Sequence, residues 1–180
     1  MLNKILKRTR DQGHWVGETA DPKKYLGFVY MISDTTAGRF YIGKKQYHLA
    51  RQGVAGCKSK STDRRSDRWK EDCWKESNWK TYKGSSPSLN KWMKEHPDHK
   101  YDYIIICQCY NKSELYYKEV EMIVLRGAIY LKKEDGTYLY FNQSIPGVKF
   151  RVSERDHNEL PLFAATYMRG EDIHFDNYKI

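Results

Sequence analysis

The sequence has little that would direct it to a membrane or out of the cell. Its first residues are charged and lack the apolar core of a secretory signal peptide. No apolar run approaches the roughly 18 residues that span a bilayer. Only 4 cysteines occur among 180 residues, and no CxxC pair is present. We therefore expect reduced thiols, no structural zinc site, no membrane association and a cytoplasmic location.

Disorder is also disfavoured, because 14% of the residues are aromatic and disordered chains are poor in aromatic residues. The net charge of +9 is concentrated in one segment. Residues 44–100 hold 15 Lys/Arg and 7 Asp/Glu, which accounts for +8 of the total. A basic block with interleaved Trp and Tyr is typical of a protein that binds nucleic acid. A solvated, lysine-rich surface is the alternative interpretation.

The first half of the sequence predicts a β-hairpin. Two short apolar runs, residues 26–33 and 39–45, flank the polar link DTTAG, which has turn chemistry. Residues 46–51 (QYHLAR) are expected to begin a helix. Residues 52–75 are basic and lack apolar periodicity, so we expect a loop that grips a ligand. Residues 1–24 are polar without a clear period and are predicted to be a leader.

The second half predicts a helix, a strand and a second helix. Ser86 and Pro87 are suited to the N-cap and the first position of a helix in SSPSLNKWMKEH. The continuous apolar run YDYIIICQC predicts a central strand, and SELYYKEVEMIVL predicts the second helix. Residues 138–142 (YLYFN) are expected to be extended. Residues 151–180, with 4 basic and 6 acidic residues, predict a C-terminal extension that docks a protein partner.

The hairpin carries a tyrosine on each strand, with ten residues between them. Taken alone, Tyr30 and Tyr41 are ordinary half-buried strand tyrosines. Their context, Phe28-Val29-Tyr30 and Tyr41-Ile42-Gly43, resembles the paired signatures of the GIY-YIG nuclease superfamily. NWKTYKGSSPSL also resembles the W-K-x-Y-x-G-S-S block of phage-encoded, free-standing homing endonucleases of the Seg type. The resemblance covers residues 26–147.

The resemblance implies a fold and an activity. The fold is a small α+β domain over residues 25–150, in which a three-stranded, mainly antiparallel sheet is flanked by helices. The activity is hydrolysis of DNA phosphodiester bonds with Mg²⁺ or Mn²⁺ in the cytoplasm of a phage host. A metal held by one carboxylate suits this chemistry, because Mg²⁺ keeps several waters and needs few protein ligands.

The family carries one metal-binding glutamate on its later helix, and two candidates lie close together here. At about 100° per residue, Leu115, Met122 and Ile123 lie within roughly 60° of Glu119, whereas Glu121 points away from them. A carboxylate within an apolar stripe must meet a charged partner, which is either a divalent cation or a lysine in a structural ion pair. With the hairpin, the pattern favours Glu119 as the metal ligand.

The resemblance also implies roles for other residues. Arg51 would hold the scissile phosphate, Asn142 would help to hold the site, and Tyr41 would orient water or phosphate. Tyr30 is the candidate base, with a pKa near 10 that a lysine ammonium would lower. Of Lys44 and Lys45, strand parity favours Lys45, because it shares a face with Tyr41.

The basic segment supplies the predicted DNA contacts. Cations take phosphates and aromatic rings stack on exposed bases. The residues predicted to contact DNA are Lys44, His48, Arg64, Arg65, Arg68, Trp69, Lys80, Lys83, Ser85 and Ser86. Ser85 and Ser86 precede a helix and form either a phosphate cradle or a simple cap. His48 is either a proton relay or a surface residue.

Two other classes of function compete with the nuclease. One is a catalytically inactive nucleic-acid-binding module on the same fold, and the other is an interaction protein that docks a partner through its acidic extension. An EDTA-sensitive nicking assay separates the nuclease from both. The sequence does not give the recognised DNA sequence or the oligomeric state. It also does not show whether the enzyme nicks one strand or cuts both.

Overall fold

The computed structural model describes residues 10–57 and 60–147. Its strands are β1 (Trp15–Gly17), β2 (Gly27–Asp34), β3 (Arg39–Gln46), β4 (His48–Ala50), β5 (Trp74–Glu76) and β6 (Tyr101–Cys109). Its α-helices are α1 (Pro87–Glu95) and α2 (Lys112–Leu125). Four strands form a sheet in the order β1-β6-β2-β3, and β4 pairs with β5 in a second, two-stranded sheet. The predicted α+β class and the mainly antiparallel sheet are confirmed, but the main sheet has four strands rather than three.

The predicted hairpin is formed by β2 and β3, and Asp34 closes it. The carboxylate of Asp34 accepts hydrogen bonds from the backbone N–H groups of Thr36 and Ala37 at 3.0 and 2.9 Å. Gly38 then adopts a φ of 62°, which a glycine tolerates without strain. The DTTAG link therefore forms a tight turn for a local chemical reason, and the turn sets the register of the two strands.

The main sheet is covered on both faces. On one face, Phe28, Tyr30 and Ile32 of β2 pack with Trp79 and with Leu89 of α1. On the opposite face, the alternate residues of β2 and β3 pack against the buried stripe of α2, in the cluster Val29, Ile42, Leu115 and Ile123. Because β2 is buried on both faces, its sequence is a continuous apolar run and does not alternate.

The leader predicted for residues 1–24 is wrong for its second part. Within residues 10–24, Trp15 is fully buried, and its indole N–H donates to the carbonyl of Trp79 at 2.6 Å. β1 pairs in parallel with β6 and supplies the fourth strand. A three-residue strand is too short to leave a periodic pattern, so it could not be detected from hydrophobic spacing.

The helix predicted at residues 46–51 is also wrong, because this stretch contains β4. Tyr47 is fully buried, its N–H donates to the carbonyl of Leu26, and its own carbonyl accepts from Ser77, both at 2.8 Å. These long-range bonds commit the backbone to sheet pairing. The segment predicted as a loop at 52–75 contains the partner strand, since β5 begins at Trp74.

Cys57 and Cys73 form a disulfide, with 5.6 Å between their Cα atoms. Both residues are buried, and the bond corrects the expectation of reduced thiols for this pair. No sequence motif indicates this disulfide, because the two cysteines lie 16 residues apart in a segment without hydrophobic periodicity. Cys107 and Cys109 are free thiols on β6.

Two further expectations concern the ends of the chain and the membrane. The predicted C-terminal extension, residues 151–180, lies outside the described residues. Among residues 10–57 and 60–147, no helix combines the length and apolar character needed to span a bilayer. Residues 138–142, predicted to be extended, form no strand and have bends at residues 139 and 141. An isolated bridge between Phe40 and Tyr140 joins them to the outer edge of β3.

Candidate active site

The two hairpin tyrosines lie on the same face of the sheet, because β2 and β3 pair Tyr30 with Gly43 and Ile32 with Tyr41. The Tyr30 hydroxyl occupies the space above Gly43. A Cβ built on Gly43 would lie 2.5 Å from the Tyr30 oxygen and 2.9 Å from the Tyr41 ring. Glycine at this position therefore makes room for both phenol rings, which gives the Tyr-Ile-Gly signature a steric reason.

A third tyrosine completes the cluster. The Tyr82 ring stands edge-on to that of Tyr30, with 6.0 Å between the ring centroids, and Tyr82 adds to the causes that raise the pKa of Tyr30. Ser85 is a neighbour of Tyr41 that acts to lower the pKa of its phenol. Tyr82 was not among the predicted site residues. The signal that could have found it is its fixed place in the W-K-x-Y-x-G-S-S block, three residues after the buried Trp79.

Burial sets the protonation of these tyrosines. It raises the pKa of Tyr30 well above its usual value, and the neighbouring Tyr41, Tyr82 and Glu119 add to this effect. Burial, Tyr82 and Glu119 likewise raise the pKa of Tyr41 to about 12. The predicted direction for Tyr30 is therefore wrong in the protein without a bound metal, since desolvation favours the neutral phenol over the tyrosinate.

The two adjacent lysines serve opposite faces of the sheet. Lys45 is on the tyrosine face, where its ammonium donates to the Asn78 side chain at 2.7 Å and lies 4.1 Å from the Tyr82 ring centroid. Burial lowers the pKa of Lys45. Lys44 is on the α2 face, 3.9 Å from the ring centroid of Tyr116. The strand parity that assigned Lys45 to the face of Tyr41 matches the observed register.

Glu119 is buried on the inner face of α2, as its helical spacing predicts, with 7% of its surface exposed. Its carboxylate forms an ion pair with Lys44. Burial raises the pKa of Glu119, and the hydrogen bond from Lys44 opposes that shift. Glu121 lies toward the outside and pairs with Lys118 at 2.7 Å. Lys44 therefore supplies one of the two kinds of charged partner predicted for this buried carboxylate.

Asn142 holds β3, the outer strand of the hairpin, through two hydrogen bonds to its backbone. Its side-chain oxygen accepts from the N–H of Ile42 at 2.9 Å, and its amide N–H donates to the Ile42 carbonyl at 2.8 Å. The preceding Phe141 donates its backbone N–H to the carbonyl of Phe40. Asn142 thus satisfies both backbone groups of the central residue of Tyr-Ile-Gly and holds Tyr41 in place from one residue away.

Arg51 and His48, both predicted near the reacting phosphate, belong to the small sheet. The backbone N–H of Arg51 donates to the Cys73 carbonyl at 2.8 Å, and its Nε donates to the Trp74 carbonyl at 2.9 Å. No contact brings it to Tyr30 or Glu119 among the described residues. The His48 ring lies 6.2 Å from that of Trp69, and burial and the charge of Arg64 lower its pKa.

The predicted DNA-binding arginines differ in what they contact. Arg64 is nearly enclosed, pairs with Glu71 at 2.9 Å and lies over the Trp69 ring, so it holds the segment together. Arg65 pairs with Asp63 at 2.8 Å. Arg68 is exposed. Trp69 is stacked on Trp74 with 4.4 Å between ring centroids, which leaves one of its faces occupied.

The remaining predicted contacts surround the start of α1. Ser86 is the N-cap, and its hydroxyl accepts from the N–H of Leu89 at 3.4 Å. Lys80 lies 3.4 Å from Glu76, and Lys83 and Ser85 are exposed. Ser86 therefore caps α1, and its predicted contact with phosphate stays a prediction. Ser85 is exposed at the same end of the helix.

The phenols of Tyr30, Tyr41 and Tyr82 therefore lie with Lys45 on one face of the hairpin, and the Lys44–Glu119 ion pair lies on the opposite face. Residues 12–145 match the family model described as "Putative endonuclease segE, GIY-YIG domain". The match includes β1, which lies before the region that the sequence motifs marked out. No curated protein and no solved structure matches. Because the match covers most of the chain, the protein belongs to the segE family of GIY-YIG domains.

Proposed function

We propose that the protein is a divalent-metal-dependent endonuclease that hydrolyses DNA phosphodiester bonds, with Glu119 as the protein ligand of the metal. The observation that carries the proposal is the buried Glu119 carboxylate on one face of a hairpin that carries Tyr30 and Tyr41 on its other face. A buried charge costs free energy that packing alone does not return, so its position argues for a use. The Seg-type block supports a phage-encoded, free-standing enzyme of the homing type, acting in the cytoplasm of the host.

The donor set fits a hard cation. Among residues 10–57 and 60–147, no group of three or more His, Cys, Asp or Glu side chains could enclose a metal. A single carboxylate suits Mg²⁺ or Mn²⁺, because such ions retain water and take further oxygens from the substrate. When bound, the ion supplies positive charge at the phosphate and lowers the pKa of a coordinated water. Glu119 would hold it, with Lys44 displaced toward the substrate.

The other residues bind and orient the substrate. The Lys44 ammonium, released from Glu119, would contact the scissile phosphate from the rim formed by Tyr116. The Tyr41 hydroxyl, held beside Ser85, would orient a water or a phosphate oxygen. Lys45 keeps Tyr82 and Tyr30 in place through its contact with the Tyr82 ring. Preorganised donors of this kind are worth more in a site that excludes water.

Tyr30 is proposed as the general base under a condition. The negative charge of Glu119 is one of the causes that raise the pKa of Tyr30, although burial is the larger one. Positive charge held at Glu119 would reverse that contribution and favour the tyrosinate. The base function of Tyr30 is therefore coupled to occupation of Glu119, and the metal-free protein should hold Tyr30 neutral.

A cleavage assay with two glutamate variants tests the proposal. Glu119→Gln should abolish cutting of plasmid DNA in Mg²⁺ because the charge of the ligand is removed, and the variant should stay folded with a lower thermal midpoint because the ion pair with Lys44 is lost. Glu121→Gln is the matched control. Glu121 lies two residues further along α2, on the outer side of the helix, and this variant should cut at nearly the wild-type rate. EDTA should stop the wild-type enzyme. Equal activity of the two variants would show that Glu119 is not the ligand.

A catalytically inactive nucleic-acid-binding domain is the second candidate. The Lys44–Glu119 ion pair favours it, because a lysine already compensates the buried carboxylate without a metal. In that case the wild type would bind DNA and would show no EDTA-sensitive nicking at any Mn²⁺ or Mg²⁺ concentration. Residues 151–180 remain a proposed docking segment for a protein partner in either function.

Binding of DNA itself should depend on salt, because neutralised phosphates release counterions. Arg68 and Lys83 are exposed cations of the basic segment, whereas Arg64 is held internally by Glu71. Substitution of both Arg68 and Lys83 by Ala removes about two phosphate contacts. The slope of log Kd against log salt concentration should therefore fall by about 2.

A further inference from the structure

The two-stranded sheet of β4 and β5 has one packed face and one open face. Strand pairing sets His48 opposite Glu76, Leu49 opposite Lys75, and Ala50 opposite Trp74. Trp74 is buried with the disulfide, so its side of the sheet packs inward. Leu49, which points the other way, is 42% exposed.

The open face is cationic. Leu49, Arg51 and Lys75 line the same groove of about 750 Å³, together with Gln52. An adjoining groove continues along residues 50–57 to Lys60. No described residue that lines either groove is acidic, although Glu71 and Asp72 precede β5 and Glu76 ends it. The face is therefore complementary to a polyanion.

Several links make this small sheet rigid. The Cys57–Cys73 disulfide joins the segment after β4 to the start of β5. Trp74 stacks on Trp69 with an interplanar angle of 3°. The Arg51 guanidinium is anchored at Nε by the Trp74 carbonyl, and no partner for its terminal nitrogens is found in the described part of the chain. A fixed arginine with free donors is preorganised for recognition.

The sheet is also joined directly to the candidate active site. Only Tyr47 separates β3 from β4. Ser77, just after β5, donates through its hydroxyl to the Gln46 carbonyl at 2.6 Å and through its N–H to the Tyr47 carbonyl at 2.8 Å. The sheet therefore has no flexible linker to the hairpin, and its position relative to Lys44 is fixed.

We propose that β4 and β5 form a ribbon that enters a groove of double-stranded DNA and reads base edges with Arg51 and Gln52. This inference rests on the proposed function. The major groove of B-DNA admits a two-stranded β-ribbon, and Arg and Gln make bidentate pairs with guanine and adenine there. Arg51 is thereby a specificity residue, and its predicted role at the scissile phosphate passes to Lys44.

The length of the ribbon limits where the enzyme would cut. Seven residues separate Lys44 from Arg51 along the chain. A fully extended chain of that length spans at most about 25 Å. That distance joins the two Cα atoms and corresponds to about seven base pairs at about 3.4 Å each, and the lengths of the two side chains add to it. The recognised sequence and the cut are therefore adjacent and keep a constant spacing.

Selection of binding sites from random DNA duplexes tests the inference without requiring cleavage. The wild-type protein in EDTA should enrich a short motif, and Arg51→Ala should lose about 10- to 100-fold of the preference at one position of it. Gln52→Ala should relax a neighbouring position. No hydrogen bond of the Gln52 side chain is found within residues 10–57 and 60–147. Gln52→Ala therefore keeps the test valid if loss of the Arg51–Trp74 hydrogen bond alters the ribbon. Lys94→Ala, an exposed cation of α1, is the matched control and should keep the motif.

Three results would overturn the inference. In the first, the wild-type protein enriches no motif. In the second, it enriches only unpaired strands. In the third, both Arg51→Ala and Gln52→Ala keep the motif of the wild type. In the cleavage assay, a fall in kcat by the same factor on every sequence would return Arg51 to the scissile phosphate. The nuclease proposal fails separately. In that case the protein still selects the motif but shows no metal-dependent cutting.

Discussion

The ammonium of Lys44 and the carboxylate of Glu119 form an ion pair that joins β3 to α2. The pair neutralises a buried charge in the protein without metal, and it means that a cation at Glu119 meets a resident positive charge. Coulomb repulsion between two such charges about 4 Å apart is a few kcal/mol at an effective dielectric constant near 20. Lys44 should therefore weaken metal binding while it prepares the site for a phosphate.

The first prediction concerns the two lysines. Lys44→Met should bind Mn²⁺ at least about tenfold more tightly at pH 8, because the competing charge is gone, and it should cut DNA more slowly. Lys45→Met, whose side chain is on the other face, should leave Mn²⁺ affinity unchanged. Titration of free Mn²⁺ by electron paramagnetic resonance measures both. Weaker binding by Lys44→Met would contradict the placement of the metal at Glu119.

The second prediction concerns the glycine beneath Tyr30. Gly43→Ala should displace the Tyr30 hydroxyl and lower the cleavage rate by about a hundredfold, as Tyr30→Phe should by loss of the base. The two changes act on one hydroxyl, so Gly43→Ala should cost much less in a Tyr30→Phe background. Single-turnover rates of the four proteins give the comparison. Additive losses would mean that Gly43 acts through the backbone alone.

The third prediction is a loss of stability in alkali. Tyr30 and Tyr41 have raised pKa values in the folded protein, about 12 for Tyr41, against about 10 in an unfolded chain. Above pH 10 the unfolded chain releases protons that the folded chain keeps, so stability falls as pH rises from 10 to 12. Tyr41→Phe should reduce that slope, measured as the urea midpoint against pH. Tyr117→Phe, at a residue 63% exposed, should leave it unchanged.

The fourth prediction concerns the clamp on β3. Asn142→Ala leaves the N–H and the carbonyl of Ile42 without their partners, and each buried unsatisfied group costs about 1–3 kcal/mol. The free energy of unfolding should therefore fall by about 2–6 kcal/mol, and exchange of the Ile42 amide should accelerate. Gln143→Ala, at an exposed position, is the control. A normal exchange rate at Ile42 would show that water replaces the amide.

The sequence predicted those features that depend on residues close together in the chain. Asp34 and Gly38 specify the turn, Ser86 and Pro87 specify the start of α1, and the spacing around Glu119 specifies its burial on α2. Each of these features depends on residues within one turn of helix or one hairpin. The direction of the Glu119 side chain followed because a helix converts sequence spacing directly into angle.

The errors lie where distant contacts outweigh local preference. Tyr47 bonds to Leu26 and Ser77, so QYHLAR becomes part of a strand although its composition suits a helix. β1 exists because Trp15 docks on Trp79, 64 residues away. The pKa of Tyr30 was expected to fall beside a lysine, but burial by residues from four segments raises it. Periodicity carries no information on such contacts.

The Cys57–Cys73 bond makes residues 57–73 a closed ring within the chain. A protease that cut one peptide bond inside this ring would leave the two products covalently joined. They would travel as one species in a denaturing gel and separate only after a thiol reductant is added. The chain can thus be cut within residues 57–73 without detaching β5, α1 or the strands that follow from the hairpin of β2 and β3.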